Sequence, residues 1–231
     1  MRAALQPIVR RDGVVLGHEA LLRGCDPLRI FALARSQGWQ LALDIRAAEL
    51  ALKAGAQFRR PGQALFVNVA PAPVDDLRAW FAAVQASPDA RVADLVVEIS
   101  EHQPEPFGPD LAAFCREVRS AGARVALDDV ELGPRSLGLV RSIRPDVVKL
   151  SGRAAAFCVD DPLVRDQVAG LVEVADEALV VAECVEEQSE AETLAACGVT
   201  AFQGWLMGRP AVGELPSTDG WPGLVTELVL D

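Results

Sequence analysis

The residues best suited to chemistry sit at or near the ends of short apolar runs. Glu19 closes GHE, Asn68 interrupts LFVNVA, and Glu98 interrupts LVVEIS with Glu101 just behind it. Asp128 and Asp129 end VALDD, Lys149 sits in VVKLS, Glu183 ends VVAE with Glu186 following, and Gln203 lies in FQGW. Singly, each reads as a turn former, a helix cap or an exposed strand end. As a set they demand more. Gathered in a low-dielectric pocket, the carboxylates repel one another unless a cation offsets them. One or two divalent ions would do so. Oxygen donors with no Cys or His at matching positions favour Mg²⁺ or Mn²⁺ over Zn²⁺. Such ions commonly engage phosphates, which points to phosphoryl chemistry. No Ser/His/Asp or Cys/His set stands out, and His18 and His102 read as structural or surface residues.

These residues must be positioned by a repeating frame. Apolar, β-branched runs (QPIVRR, VVLGHEALL, ALFVNVA, DLVVEIS, RVALDDV, DVVKLS, ALVVAECV, AFQGWLMG) recur along the chain. Ala/Leu-rich helical stretches separate most of them, such as LALDIRAAELALKAGAQF and DPLVRDQVAGLVEVADEA. Strands alternating with helices indicate βαβ units and a parallel sheet buried on both faces. The first two runs are joined only by RRDG, which reads as a hairpin. The pattern predicts an α/β fold, a TIM-like (β/α)8 barrel with an antiparallel first strand; an open doubly wound sheet is the rival. Period-two geometry favours the barrel. Phe66 shares a face with Asn68, Val96 with Glu98, Ala126 with Asp128, Val147 with Lys149, and Val181 with Glu183. Pointed inward, these faces bring every polar end to one mouth, where TIM-barrel active sites lie.

Composition narrows the classes. The 231 residues are 51% hydrophobic, enough for a sizeable core, and an α/β barrel of this length is routinely one domain. The net charge of −11 argues against a nucleic-acid polymer or an anionic membrane surface as partner. No apolar stretch is long enough for membrane insertion. The five cysteines include no C-x-x-C pair, so a cytoplasmic setting is expected.

The ordered series of motifs resembles the EAL domain family. GHEALLR contains the Glu-Ala-Leu signature just after QPIV. FVNVA is similar to the family's strand with a metal-binding Asn, and VVEISE to its E-L-T-E. VALDDVELGPRSL is similar to A-L-D-D-F-G-T-G-x-S-S-L, PDVVKLS to D-x-x-K-I-D, VVAECVE to A-E-G-V-E, and FQGWLMGRP to Q-G-Y-x-x-x-x-P. The resemblance implies a single EAL domain over 1–231. It implies a metal-dependent phosphodiesterase that hydrolyses cyclic di-GMP to linear pGpG. Glu19, Asn68, Glu98 and Asp128 would hold a first metal and Asp129 a second. Lys149 would contact the attacking water or the scissile phosphate, and Glu183 would position or deprotonate that water. Arg23, Gln203 and Gln6 would bind substrate, while Glu101 and Glu186 would support the loop after Asp129. A homodimer and a flanking or separate sensory or signalling protein are further family expectations.

The sequence departs from the family pattern after Asp129. Glu131 stands where the family has Gly, and Pro134 removes an N–H. Ser151 replaces an Asp, Cys184 a Gly and Ala70 a Ser. The first-metal residues argue for an active enzyme. The altered loop at 130–135 argues for a cyclic di-GMP receptor with weak or no turnover. A third reading is a barrel used only for protein interaction.

Overall fold

The computed structural model describes residues 1–102, 109–216, 218 and 223. The expected domain of 1–231 therefore extends past the described residues at its C-terminal end. Strands β1 (Arg2–Arg10) and β2 (Val15–Arg23) form the hairpin, and its register sets Gln6 opposite Glu19. Six further strands follow: β3 (Ala64–Val69), β4 (Leu95–Ser100), β5 (Arg124–Val130), β6 (Val147–Leu150), β7 (Leu179–Ala182) and β8 (Ala201–Phe202). They close a barrel in sequence order. β1 is antiparallel to both neighbours, β2 and β8, and the other pairings are parallel. The open-sheet alternative is excluded.

Helices α1 (Pro27–Ser36), α2 (Gln40–Phe58), α3 (Val74–Ala86), α4 (Pro109–Ser120), α5 (Pro134–Ile143), α6 (Gly152–Asp160), α7 (Pro162–Ala175) and α8 (Gln188–Ala196) surround it. Alternation splits the core in two. Ile8, Phe66, Val96, Ala126, Val147 and Val181 meet inside the barrel. The intervening side chains, such as Leu65, Val97, Leu127 and Val148, face outward and pack with Trp80, Phe114 and other helix residues. Each large apolar side chain so buried contributes about 1.5–3 kcal/mol relative to exposure. Phe66, Val96, Ala126, Val147 and Val181 sit two positions before Asn68, Glu98, Asp128, Lys149 and Glu183, which carries these five to the C-terminal mouth.

Two local elements differ from expectation. The last strand is only Ala201–Phe202, not the whole AFQGWLMG run. Gln203 still bonds through its N–H to Ala182 O at 2.8 Å, but Gly204 then folds against Val185. A Cβ at Gly204 would lie 2.0 Å from Val185 O, so the backbone turns away where only glycine fits. The short α6 was not visible as a helix in GRAAAFCVD. Ser151, the residue that replaces an Asp, caps it by accepting from Ala154 N at 3.2 Å.

Candidate active site

The mouth is organised around one ammonium group. Lys149 Nζ lies 2.7 Å from Glu98 Oε1, 2.8 Å from Asp128 Oδ1, 2.8 Å from Glu183 Oε1 and 3.2 Å from Glu19 Oε2. Lys149 is fully buried because β6 points it inward from Val147. Glu19 is gripped further: Asn68 Nδ2 donates to its Oε1 and Gln203 Nε2 to its Oε2, both at 2.6 Å. Gln203 Nε2 also reaches Gln6 Oε1 at 3.4 Å, and Gln6 Nε2 donates to Gly208 O at 3.3 Å. Four carboxylates thus face one cation, three near the C-terminal ends of β4, β5 and β7 and Glu19 from the middle of β2 rather than its end.

The electrostatics follow from burial and crowding. Burial and the neighbouring Glu19 and Asp128 push Glu98 well above the usual carboxylate range, against the pull of Lys149. Burial pushes Glu183 up to about 7, with Lys149 opposing. Burial would also raise Glu19, but Lys149 and the Gln203 and Asn68 hydrogen bonds hold it low. Burial works against the charge on Lys149, yet the four acids raise its pKa well above the lysine range.

Among the described residues, no three His, Cys, Asp or Glu side chains converge on a point of their own where an ion would sit. The acids converge on the ammonium instead. The donor chemistry nevertheless fits a hard divalent cation. Glu98 Oε2 is buried with no hydrogen-bond partner, and Glu98 Oε1 and Asp128 Oδ1 meet the ammonium at close range without hydrogen-bond alignment. Buried carboxylate oxygens left in this state have unused coordinating capacity.

The second aspartate goes elsewhere. Asp129 has φ +58°, which twists β5 at an interrupted register and turns the side chain toward solvent. Its Oδ2 lies 3.8 Å from His102 Nδ1. Partial burial and Asp128 raise its pKa, opposed by His102. The left-handed residue at this corner is therefore Asp129 rather than Glu131, and Asp tolerates that conformation better than most residues. Pro134 opens α5, where the missing N–H has no helical partner to lose. Glu101 is buried beside the corner: its N–H donates to Asp128 O at 3.0 Å, and its carbonyl accepts from Arg135 at 3.4 Å. Glu186 is exposed, and its N–H donates to Glu190 Oε2 at 2.7 Å.

Arg23 stands on the rim of a groove of about 330 Å³ that runs from Glu19 and Asn68 outward past Phe31 and Pro71. Its guanidinium donates to Leu22 O at 2.9 Å. The same groove exposes a residue that pattern reading missed. Asp44 is buried on α2 and its Oδ1 accepts from Ala70 N at 3.2 Å, just beyond Asn68. Burial pushes its carboxyl up to about 6. The available signal was an acid inside the apolar stripe of LALDIRAAEL. Cys184, the other departure near the cluster, has φ +57° and lies over Gly152, where a Cβ would come within 2.6 Å of its Sγ.

The family model for the EAL domain matches residues 1–210. The chain belongs to the EAL domain family. It is 26% identical over 218 residues to the Escherichia coli cyclic di-GMP phosphodiesterase PdeF, covering 89% of this chain and 29% of PdeF. This EAL domain thus spans less than a third of that relative. Klebsiella pneumoniae BlrP1, in a manganese and cy-diGMP complex, superposes with a TM-score of 0.80 at 25% identity, over 91% of this chain and 56% of that one. A standalone EAL protein from Vibrio cholerae O395, in its c-di-GMP bound form, shares the fold with a TM-score of 0.78 at 22% identity, over 94% of both chains. No helix among the described residues is long and apolar enough to cross a membrane.

Proposed function

We propose that this EAL domain is a metal-dependent phosphodiesterase that opens cyclic di-GMP to linear pGpG. The observation that carries the reading is the convergence of Glu19, Glu98, Asp128 and Glu183 on Lys149 at the barrel mouth. The name of PdeF and the ligands of BlrP1 support the substrate and the use of a divalent ion. Glu19, Asn68, Glu98 and Asp128 would hold one ion, and Asp129 would serve a second, as Mg²⁺ or Mn²⁺. A bound divalent cation supplies charge neutralisation on the phosphate and acidifies water.

The chain's own groups do the rest. Glu183, with a proton affinity near neutrality, accepts a proton from the attacking water through its carboxylate. Water oxygen bonds to phosphorus while one bridging P–O bond breaks, leaving a linear dinucleotide with a terminal phosphate. Lys149 and Arg23 offset the negative charge that builds on the phosphate oxygens. Gln6 and Gln203 fix the orientation of Glu19 and the adjoining face of the ligand. Glu101 braces the corner that carries Asp128, and Glu186 closes the turn into α8. The whole domain, 1–231, acts as one unit in this reading, in the cytoplasm, as a homodimer and under a sensory or signalling partner.

A second reading has its own support. Asp129 faces His102 rather than the carboxylate cluster, which favours a cyclic di-GMP receptor with weak turnover. Chromatography after incubating the protein with cyclic di-GMP and Mn²⁺ or Mg²⁺ separates the two. The enzyme reading expects pGpG; bound but intact nucleotide with both metals supports the receptor.

A further inference from the structure

Cys158 and Cys197 lie far apart in sequence, yet their Sγ atoms are 3.7 Å apart. Cys158 is fully buried in the last turn of α6, and Cys197 is the partly exposed residue that ends α8. We propose that this pair is a reversible dithiol latch, closed to a disulfide by low-molecular-weight disulfides such as oxidised glutathione. The inference stands independently of the phosphodiesterase reading.

The separation is that of two thiols in contact, close enough that forming the bond requires the sulfurs to approach by less than 2 Å, to about 2 Å. The two thiols differ in reach and readiness. Burial and the nearby Cys197 sulfur push Cys158 up to about 12, so it is a poor first nucleophile. Cys197 has the access. Its thiolate attacks one sulfur of the small disulfide, forms a mixed disulfide and expels one thiolate. The Cys158 thiolate then attacks Cys197 Sγ, forms the internal bond and expels the second. The pair loses two electrons and two protons; the small disulfide becomes two thiols. The high pKa of Cys158 makes this second step slow and faster at alkaline pH.

The bond would tie α6 to the corner between α8 and β8. α6 follows the strand that carries Lys149, and β8 leads directly to Gln203. The bridged segment contains β7 and Glu183. Closure therefore fastens the side of the barrel that carries three of the mouth residues. It also removes loop-closure entropy from the unfolded chain.

The test uses the whole chain, reduced and then incubated with oxidised glutathione at pH 8. Peptide mapping without reduction should recover a Cys158–Cys197 linked peptide, and the oxidised protein should melt at a higher temperature, reverting with dithiothreitol. Cys158→Ser should instead stop at a glutathione adduct on Cys197. Recovery of Cys197 only as a glutathione adduct beside a free Cys158 in the parent protein overturns the proposal, whether or not the variant folds.

Discussion

Lys149 Nζ and Glu98 Oε1 lie 2.7 Å apart with neither side chain exposed to solvent. An isolated pair of this kind gains little, because desolvation offsets its Coulombic attraction. Here the ammonium also faces three further carboxylates, so it neutralises a cluster rather than one partner. In the proposed reading a divalent ion would compete with this lysine for one set of oxygens.

Removing the ammonium should expose that competition. Lys149→Met leaves buried acids uncompensated and is expected to destabilise the protein by about 3–5 kcal/mol without divalent ions. Added Mn²⁺ should raise the melting temperature of the variant more than that of the parent, while hydrolysis is lost. Thermal melts with and without Mn²⁺ measure this. Equal responses in both proteins would contradict a shared cation site.

Glu183 should set the acid limb of activity. A general base works only when deprotonated, and this carboxyl is raised to about 7. Activity should therefore fall as pH drops through about 7, or somewhat lower once a cation binds beside it. Glu183→Gln should lower kcat by about 10²–10⁴-fold. A kcat/KM profile that keeps its acid limb in the variant would assign the titration to another group.

His18 predicts a pH effect on stability alone. It is buried, and burial followed by the charges of Arg60 and Arg59 lowers its pKa from 6.5 to about 4. Between those values the unfolded chain binds a proton that the folded chain refuses, so stability falls as pH falls through that window. The loss is up to about 3 kcal/mol. Urea unfolding at pH 4.5 and 7 should show it, and His18→Gln should flatten the difference.

Asp44 carries the opposite sign. Its folded pKa of about 6 lies above the ordinary 3.8, so its stabilising contribution is complete below 3.8 and lost as pH rises through about 6. Asp44→Asn keeps an acceptor for Ala70 N and removes the buried charge. It should be more stable than the parent at pH 8 by about 1 kcal/mol, whereas Asp44→Ala should be less stable. Denaturant midpoints for the pair decide whether charge or hydrogen bond dominates.

Much of this architecture was legible in the sequence because strands alternate faces. Once Phe66, Val96, Ala126, Val147 and Val181 are read as inward, Asn68, Glu98, Asp128, Lys149 and Glu183 must reach the mouth. The hub role of Lys149 was not legible, since its four distances depend on tilt and register across the closed barrel. The outward turn of Asp129 rests on one backbone dihedral that two adjacent aspartates do not announce. Asp44 hid in a helical apolar stripe, where only tertiary packing shows what its carboxylate holds. The short α6 begins with glycine and has too little periodicity to be told from a loop.

The central claim is that the carboxylates gathered around Lys149 support hydrolysis of cyclic di-GMP. Its most direct test is product formation by the parent protein and Glu19→Ala, with Mn²⁺ and with Mg²⁺, followed by chromatography. The parent should yield pGpG with at least one metal, and Glu19→Ala, which loses the acid held by Asn68, Gln203 and Lys149, should yield none. Tight binding of cyclic di-GMP by the parent with no pGpG under either metal would contradict it.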